Sequence, residues 1–291
     1  MDAVLLALAS GFFFGAMTVA LRIALRRHPA ADLGAVVTTA VGLVVVSFAA
    51  ALDPDTGELA HFRELAVFAL AGVLAPGLSQ ILFMLAIREV GSSRASVVVG
   101  GAPLVGATLA ILLLDEPLRG PLVLGALLIV VAGVLLAREP ARPEHFRAVG
   151  LVFAAVATVL FSVRDVIVRW YSSEAALGSF EAAAASLAMG WLLMSAYAIL
   201  SRREQPAREL FRPALAAFVP AGAFFGLSYV LLFEAYYRGE VTIVSPLVAT
   251  ESLWTVLLSA LILRRSELVG PRLVVGAALV VAGGALIGAY R

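Results

Sequence analysis

The sequence predicts an all-α integral membrane protein whose ten transmembrane helices form two inverted five-helix repeats. Three observations carry this reading. Of 291 residues, 62% are hydrophobic and only 14% are charged, with a mean hydropathy of +1.01, whereas soluble domains are roughly a quarter charged. Apolar runs of about 20 residues, the length that crosses a bilayer, follow one another with short polar breaks. The second half of the chain also repeats the first, and such repetition decides an architecture.

Breaking the chain at its charged and proline-rich stretches places the spans at residues 3–25, 32–52, 65–87, 93–114, 120–137, 148–171, 179–200, 214–236, 241–263 and 271–289. The first starts at Ala3 with no basic segment ahead of it and runs on through Gly11, Gly15 and Arg22, as a span does and a cleaved signal does not. The second reaches Asp53. The third carries Ser79-Gln80, and the fourth ends at Asp115-Glu116. Gly125 and Gly133 lie eight residues apart on the fifth, so they share a face suited to close packing. The sixth holds Arg164, Asp165 and Arg169 near one end, and the seventh is closed by the stretch from Ser201 to Arg212. The eighth carries Ser228-Tyr229 and ends in Glu234, Tyr236, Tyr237 and Arg238. Pro246, Glu251 and Trp254 lie on the ninth, and Gly276 and Gly284 on the tenth, again eight apart. The connections are short, so no extramembrane domain is expected.

The repeat shows in three matches. Phe14 to Arg22 lies over Phe161 to Arg169 at a shift of 147, with an aromatic start and an arginine end. Gly77-Leu78-Ser79 lies over Gly226-Leu227-Ser228 at a shift of 149. Asp115-Glu116 through Leu124-Gly125-Ala126 lies over Ser266-Glu267 through Val275-Gly276-Ala277 at a shift of 151. An odd number of spans per half turns the second copy upside down. The halves are residues 1–138 and 148–291.

Charge sets the orientation and excludes several chemistries. Connections after the odd-numbered spans carry most of the arginines, among them Arg26, Arg27, Arg88, Arg94, Arg147 and Arg212. The positive-inside rule then puts that side in the cytoplasm and both chain ends outside. The chain has no cysteine and no lysine, and His28, His61 and His145 all fall in connections, so no metal site is expected at membrane depth. A net charge of +1 argues against a nucleic-acid partner. No Gly-rich phosphate loop is present for direct ATP coupling, and no cofactor is expected.

Ten spans in two halves, with Glu116 and Glu267 each followed nine residues later by Gly125 and Gly276, resemble the EamA-type branch of the drug/metabolite transporter superfamily. The resemblance covers nearly the whole chain, through local strings such as Asp115-Glu116-Pro117-Leu118. It implies transport of a small solute, in a family whose substrates include amino acids, sugars, nucleotide sugars, purines and drugs, moved outward, by exchange or with protons.

A charge at membrane depth is costly and so marks a candidate site. Glu251, about ten residues into the ninth span, is the clearest case. Pro246 can free backbone carbonyls near it, and a carboxyl in a low-dielectric interior suits proton exchange or a cationic substrate group, though a structural ion pair would use it equally. Asp165 and Arg169 are spaced to pair on one face, which would leave Arg164 for an anionic substrate or for Glu251. Ser79, Gln80, Ser228 and Tyr229 sit at matching mid-depth positions and read either as lining or as interhelix hydrogen bonds. Glu234 is a gate or site candidate beside Tyr236 and Tyr237, which read as an interfacial belt. Trp254, three residues after Glu251, either stacks on a substrate or packs. Arg22 is expected to snorkel to the interface, and Glu116 and Glu267 to cap the helices that follow them.

The function expected is a secondary carrier, an exporter or exchanger of a small organic metabolite or drug, working by alternating access and proton coupling in a bacterial cytoplasmic membrane. Lipid or isoprenoid flipping on the same fold is the alternative. An intramembrane enzyme would need a convergent nucleophile, base or metal set that the spans lack. Expected partners are a small-molecule substrate and membrane lipids, with the glycine faces also suited to a homodimer contact.

Overall fold

The computed structural model describes residues 2–53, 62–114, 120–137, 146–172, 177–201, 207–263 and 268–289. Every regular element among them is helical. In a bilayer each backbone N–H and C=O must be satisfied within the protein, and continuous helices do this residue by residue. The first half comprises α1 (Ala3–Arg27), α2 (Ala31–Leu52), α3 (Phe62–Gly72), α4 (Ser79–Val90), α5 (Ser92–Val99), α6 (Ala102–Leu114) and α7 (Gly120–Ala137). The second comprises α8 (Val149–Ser172), α9 (Ser179–Ser201), α10 (Ala207–Arg238), α11 (Val241–Val248), α12 (Glu251–Leu258) and α13 (Pro271–Ala289). Seven segments among the described residues are long and apolar enough to cross a membrane, and α7 and α13 contain shorter apolar helices. The α5–α6 pair occupies the place of the fourth expected span, residues 93–114.

Three spans are broken rather than continuous. α3 and α4 are joined by a π-helical turn in which Ala75 leaves the helical region, at φ −142 and ψ 118. The next residue, Pro76, has no N–H to give and disfavours helical backbone before it. α5 and α6 part at Gly100-Gly101, and α11 and α12 part at Ala249-Thr250. Pro246, the expected breaker, lies inside α11, and the break follows three residues later in a tight turn where Thr250 N donates to Leu247 O at 3.2 Å. Such short 3₁₀-like stretches inside helices often mark hinges. Between α4 and α5 the chain turns on Gly91 alone, at φ 91, a left-handed conformation that favours glycine.

The packing carries the repeat. α5 and α11 have eight residues each, and α11 and α12 start 149 positions after α5 and α6. α10 packs on α1 and α2 as the α3–α4 span packs on α8 and α9. α11 and α12 pack on α1 as α5 and α6 pack on α8, while α7 with α13 and α2 with α9 are mates packed on each other, and the two broken mate spans meet through α5 and α12. Exchanging the halves therefore preserves the bundle, as two inverted copies about one pseudo-two-fold axis require. Hydrogen bonds obey the same exchange. Arg22 Nη1 donates to the carbonyls of Ile87 at 3.1 Å and Arg88 at 3.3 Å, and Arg169 Nη1 donates to the carbonyl of Tyr236 at 3.1 Å.

These contacts correct two expectations. Arg22 does not snorkel: it is 3% exposed, because the open carbonyls at the end of α4 offer it partners inside the bundle. Arg94 is not in a connection but on the first turn of α5 and 1% exposed, since the Gly91 turn starts the helix at Ser92. Glycines close the other contacts. A Cβ on Gly125 would meet the Gly283 carbonyl at 2.6 Å, whereas Gly133, expected on the same packed face, looks onto open space. Glu116 and Glu267, with the caps expected of them, and His61 and His145 lie outside the described residues.

Candidate functional site

The two broken spans of the α5–α6 and α11–α12 type meet the first helix of the opposite half, α8 and α1 respectively, at mid-depth. On one side the approach is glycine-tight: a Cβ on Gly11 would lie 3.0 Å from the Val248 carbonyl and one on Gly15 3.1 Å from the Glu251 carbonyl. On the other, hydroxyls fill the equivalent positions. Thr158 Oγ1 donates to Val98 O at 3.4 Å and Ser162 Oγ donates to Ala102 O at 3.3 Å, satisfying carbonyls near the break.

Between these contacts lies a cavity of about 50 Å³. Its wall contains three pairs of repeat mates, Phe14 with Phe161, Val99 with Val248, and Ala102 with Glu251, so the cavity straddles the pseudo-two-fold axis. The two phenylalanine rings meet edge to face at 6.0 Å, and Phe83 packs on both, at 5.6 and 6.1 Å. The polar groups are not symmetric. Arg164, Asp165, Tyr236 and Ser245 line the cavity, whereas their counterparts in the first half are Met17, Thr18, Ile87 and Ser96.

Glu251 begins α12 at the break and is 3% exposed. Neither of its carboxyl oxygens has a hydrogen-bond partner among the described residues. Arg164, also 3% exposed, has partners by contrast. Its Nε donates to Asp165 Oδ1 at 2.6 Å and its Nη1 to the Tyr229 hydroxyl at 2.5 Å. The guanidinium lies 5.0 Å from the Tyr229 ring centroid, 5.8 Å from Phe233 and 5.9 Å from Phe161, a setting in which ring faces stabilise a cation. Asp165 therefore pairs with its neighbour and not with Arg169, because Arg169 is drawn to the Tyr236 carbonyl. Tyr236 is no interfacial residue: it is 1% exposed in the cavity wall, its hydroxyl near Asp165 and Ser245 without completing a hydrogen bond. Sequence spacing marked Tyr236 only by its place near the end of a span, and could not show that its side chain turns into the bundle. Ser10 and Ser245 were not singled out by sequence either. Only pairing with Ser228 reveals Ser10, each hydroxyl donating to the other residue's carbonyl at 3.0 Å.

Of the other sequence candidates Ser228 lies in the cavity wall, and the rest fall around it. Tyr229 stands behind Arg164, donating to the Ala75 carbonyl at 3.1 Å, with Ser186 Oγ at 3.3 Å from the same oxygen. Ser79 and Gln80 are fully buried in α4, with polar atoms that have no hydrogen-bond partner among the described residues. Ser79 is the mate of Ser228, and its missing partner has a cause: Ser10 corresponds to Ala157 in the other half. Glu234 is tied to Ser179 and Arg238 near the end of α10. Trp254 packs edge to face on Phe12 at 5.3 Å and is 36% exposed on the outer face of the bundle.

Two stretches of the chain, residues 1–138 and 148–289, each match the model of a family described as EamA-like transporter family. A solved structure titled only "Crystal structure of protein" has the same fold, with a TM-score of 0.63 and 19% identity over 98% of this chain and 95% of that one. Among curated proteins none matches.

Proposed function

Because the chain belongs to the EamA-like transporter family, and so is a multi-pass membrane protein that carries small molecules and not an enzyme, we propose that it is a secondary carrier of a small organic metabolite or drug. It works by alternating access, the two halves rocking about the axis through Phe14 and Phe161, and Glu251 couples the movement to protons. The observation that carries this reading is the cavity at the meeting of the two broken spans, with one uncompensated carboxyl in its wall. Its volume supports the alternating part. About 50 Å³ is room for a few waters, since one needs about 10–15 Å³, and an organic solute enters only when the spans part.

A seal on one side supports the same cycle. The Ser92 and Ser259 hydroxyls are 3.0 Å apart where the α5–α6 and α11–α12 spans cross. The cavity wall includes Tyr236 and Ser245, near the end of α10 and in α11, away from that serine pair in the sequence of the spans. An all-helical design suits a bacterial cytoplasmic membrane, because outer-membrane spanning proteins are β-barrels.

Solute counterflow in sealed liposomes tests the reading, using a panel of labelled amino acids, sugars, nucleosides and amines. The wild type exchanges at least one of them, Ala102→Phe, which fills the cavity, does not, and Gly133→Ala, on the open face, does. Exchange that survives Ala102→Phe at full rate, or no exchange across the panel, contradicts it.

A further inference from the structure

We propose that the cavity takes a small organic monocation with an apolar body, a primary amine in its ammonium form, and refuses solutes that carry a free carboxylate or phosphate. The inference rests on the carrier reading for the place of the site and on charge for its chemistry.

The cavity wall holds three ionisable side chains of opposite sign. Arg164 and Asp165 neutralise each other at 2.6 Å, and the guanidinium also donates to Tyr229 at 2.5 Å and lies near three aromatic rings. An anion entering the cavity meets only a cation already neutralised by Asp165, since among the described residues the wall contains no other arginine and the chain has no lysine. Among the described residues of the wall, Glu251 is left as the charge without a counterpart, buried and lining the cavity. A buried carboxylate is tolerated when it is paired or carries a proton, so an ammonium and a proton compete for one position. The helices packed against α12 do not change this sum. Arg22, Arg26 and Arg27 on α1, Arg94 on α5 and Arg272 on α13 are their charged residues, and none lines the cavity.

The rest of the wall fits the body of such a solute. Phe14, Phe161, Val99, Val248 and Leu232 surround the carboxyl with apolar surface. The Tyr236 hydroxyl, beside Asp165 and Ser245 in the same wall, supplies an oxygen for a further ammonium N–H. Binding then releases the proton of Glu251 as the cation enters, and the cavity keeps the same net charge with either occupant.

Matched pairs that differ only in the carboxylate test this: phenethylamine against phenylalanine, and isoamylamine against leucine. Equilibrium binding to the purified protein is read together with proton release in weakly buffered solution. The amines bind about tenfold or more tightly than the amino acids and release close to one proton, because a charge left unpaired in the cavity is penalised. Glu251→Gln, monodisperse on size exclusion, loses both signals, and Glu251→Asp keeps amine binding at reduced affinity. Amino acids binding as well as the amines, or amine binding unchanged in Glu251→Gln, overturns the proposal. If neither class binds while the counterflow panel exchanges a neutral or anionic solute, the substrate class falls and the carrier reading stands. If amines bind and release protons but nothing is exchanged across liposomes, the carrier reading falls and the site chemistry stands.

Discussion

Phe14 and Phe161 meet edge to face at 6.0 Å, and they are the same residue in two copies of one repeat. Residues related by a two-fold axis touch only where that axis passes, so this contact marks the course of the pseudo-two-fold axis, and the cavity lies against it. The symmetry also supplies the geometry of the opposite-facing state. Whatever closes one face has a mate that closes the other when the halves exchange conformations.

The Ser92 and Ser259 hydroxyls are 3.0 Å apart, proposed above as a seal, and their repeat counterparts are Val241 and Ala110. The chain has no native cysteine. Ser92→Cys with Ser259→Cys is expected to form a disulfide under oxidant and stop counterflow, with reduction restoring it. Val241→Cys with Ala110→Cys should cross-link only in the alternate state, so turnover conditions increase its yield. Equal cross-linking of both pairs irrespective of turnover would sink the exchange of seals.

Breaking the Arg164–Asp165 pair is expected to cost far more than removing it. Asp165→Asn leaves a buried guanidinium without its carboxylate, a change that costs roughly 3–5 kcal/mol in comparable buried pairs. Replacing both residues by Met and Leu relieves most of that loss. Thermal unfolding in one detergent compares the variants, and a single variant no less stable than the double one would show that the pair is not mutually dependent.

Tyr229 links Arg164 to the Ala75 carbonyl in the broken third span, and it stands behind the cavity rather than in its wall. In Tyr229→Phe the ring stays under the guanidinium, but the bridge is gone. Apparent substrate affinity should stay within about threefold while turnover falls by about tenfold or more, a loss of the size expected when a buried carbonyl and a charged donor lose their shared partner. A change confined to affinity would place the hydroxyl in the binding site.

Gly72 faces the Ser186 carbonyl so closely that an added Cβ would lie 2.1 Å from the oxygen. Gly72→Ala is therefore expected to destabilise by about 1–3 kcal/mol, the usual cost of overpacking a well-packed contact. Gly133→Ala meets nothing within 4 Å and should leave the unfolding temperature unchanged. Similar shifts for the two would discount the close approach of α3 and α9.

Much of the fold was legible in the sequence, because hydropathy and a 147 to 151 residue repeat survive as patterns of single residues. Arg22 and Arg169 were aligned before their matching carbonyl bonds were visible. What sequence spacing missed depends on partners far along the chain. Nothing near Arg22 announces the carbonyl of Ile87, and i to i+4 spacing favoured Asp165 with Arg169 although the adjacent Arg164 captures Asp165. Glu251 stood out by its charge alone. The mid-depth position of Trp254, by contrast, concealed that it turns outward onto Phe12.

Glu251 as the coupling group is the centre of this account, and pH-driven accumulation tests it most directly. In sealed liposomes carrying an imposed pH gradient, the wild type should accumulate its solute above equilibration. Glu251→Gln, reconstituted to the same protein density, should lose the gradient-driven part entirely. Full gradient-driven accumulation in the Gln variant would contradict the assignment.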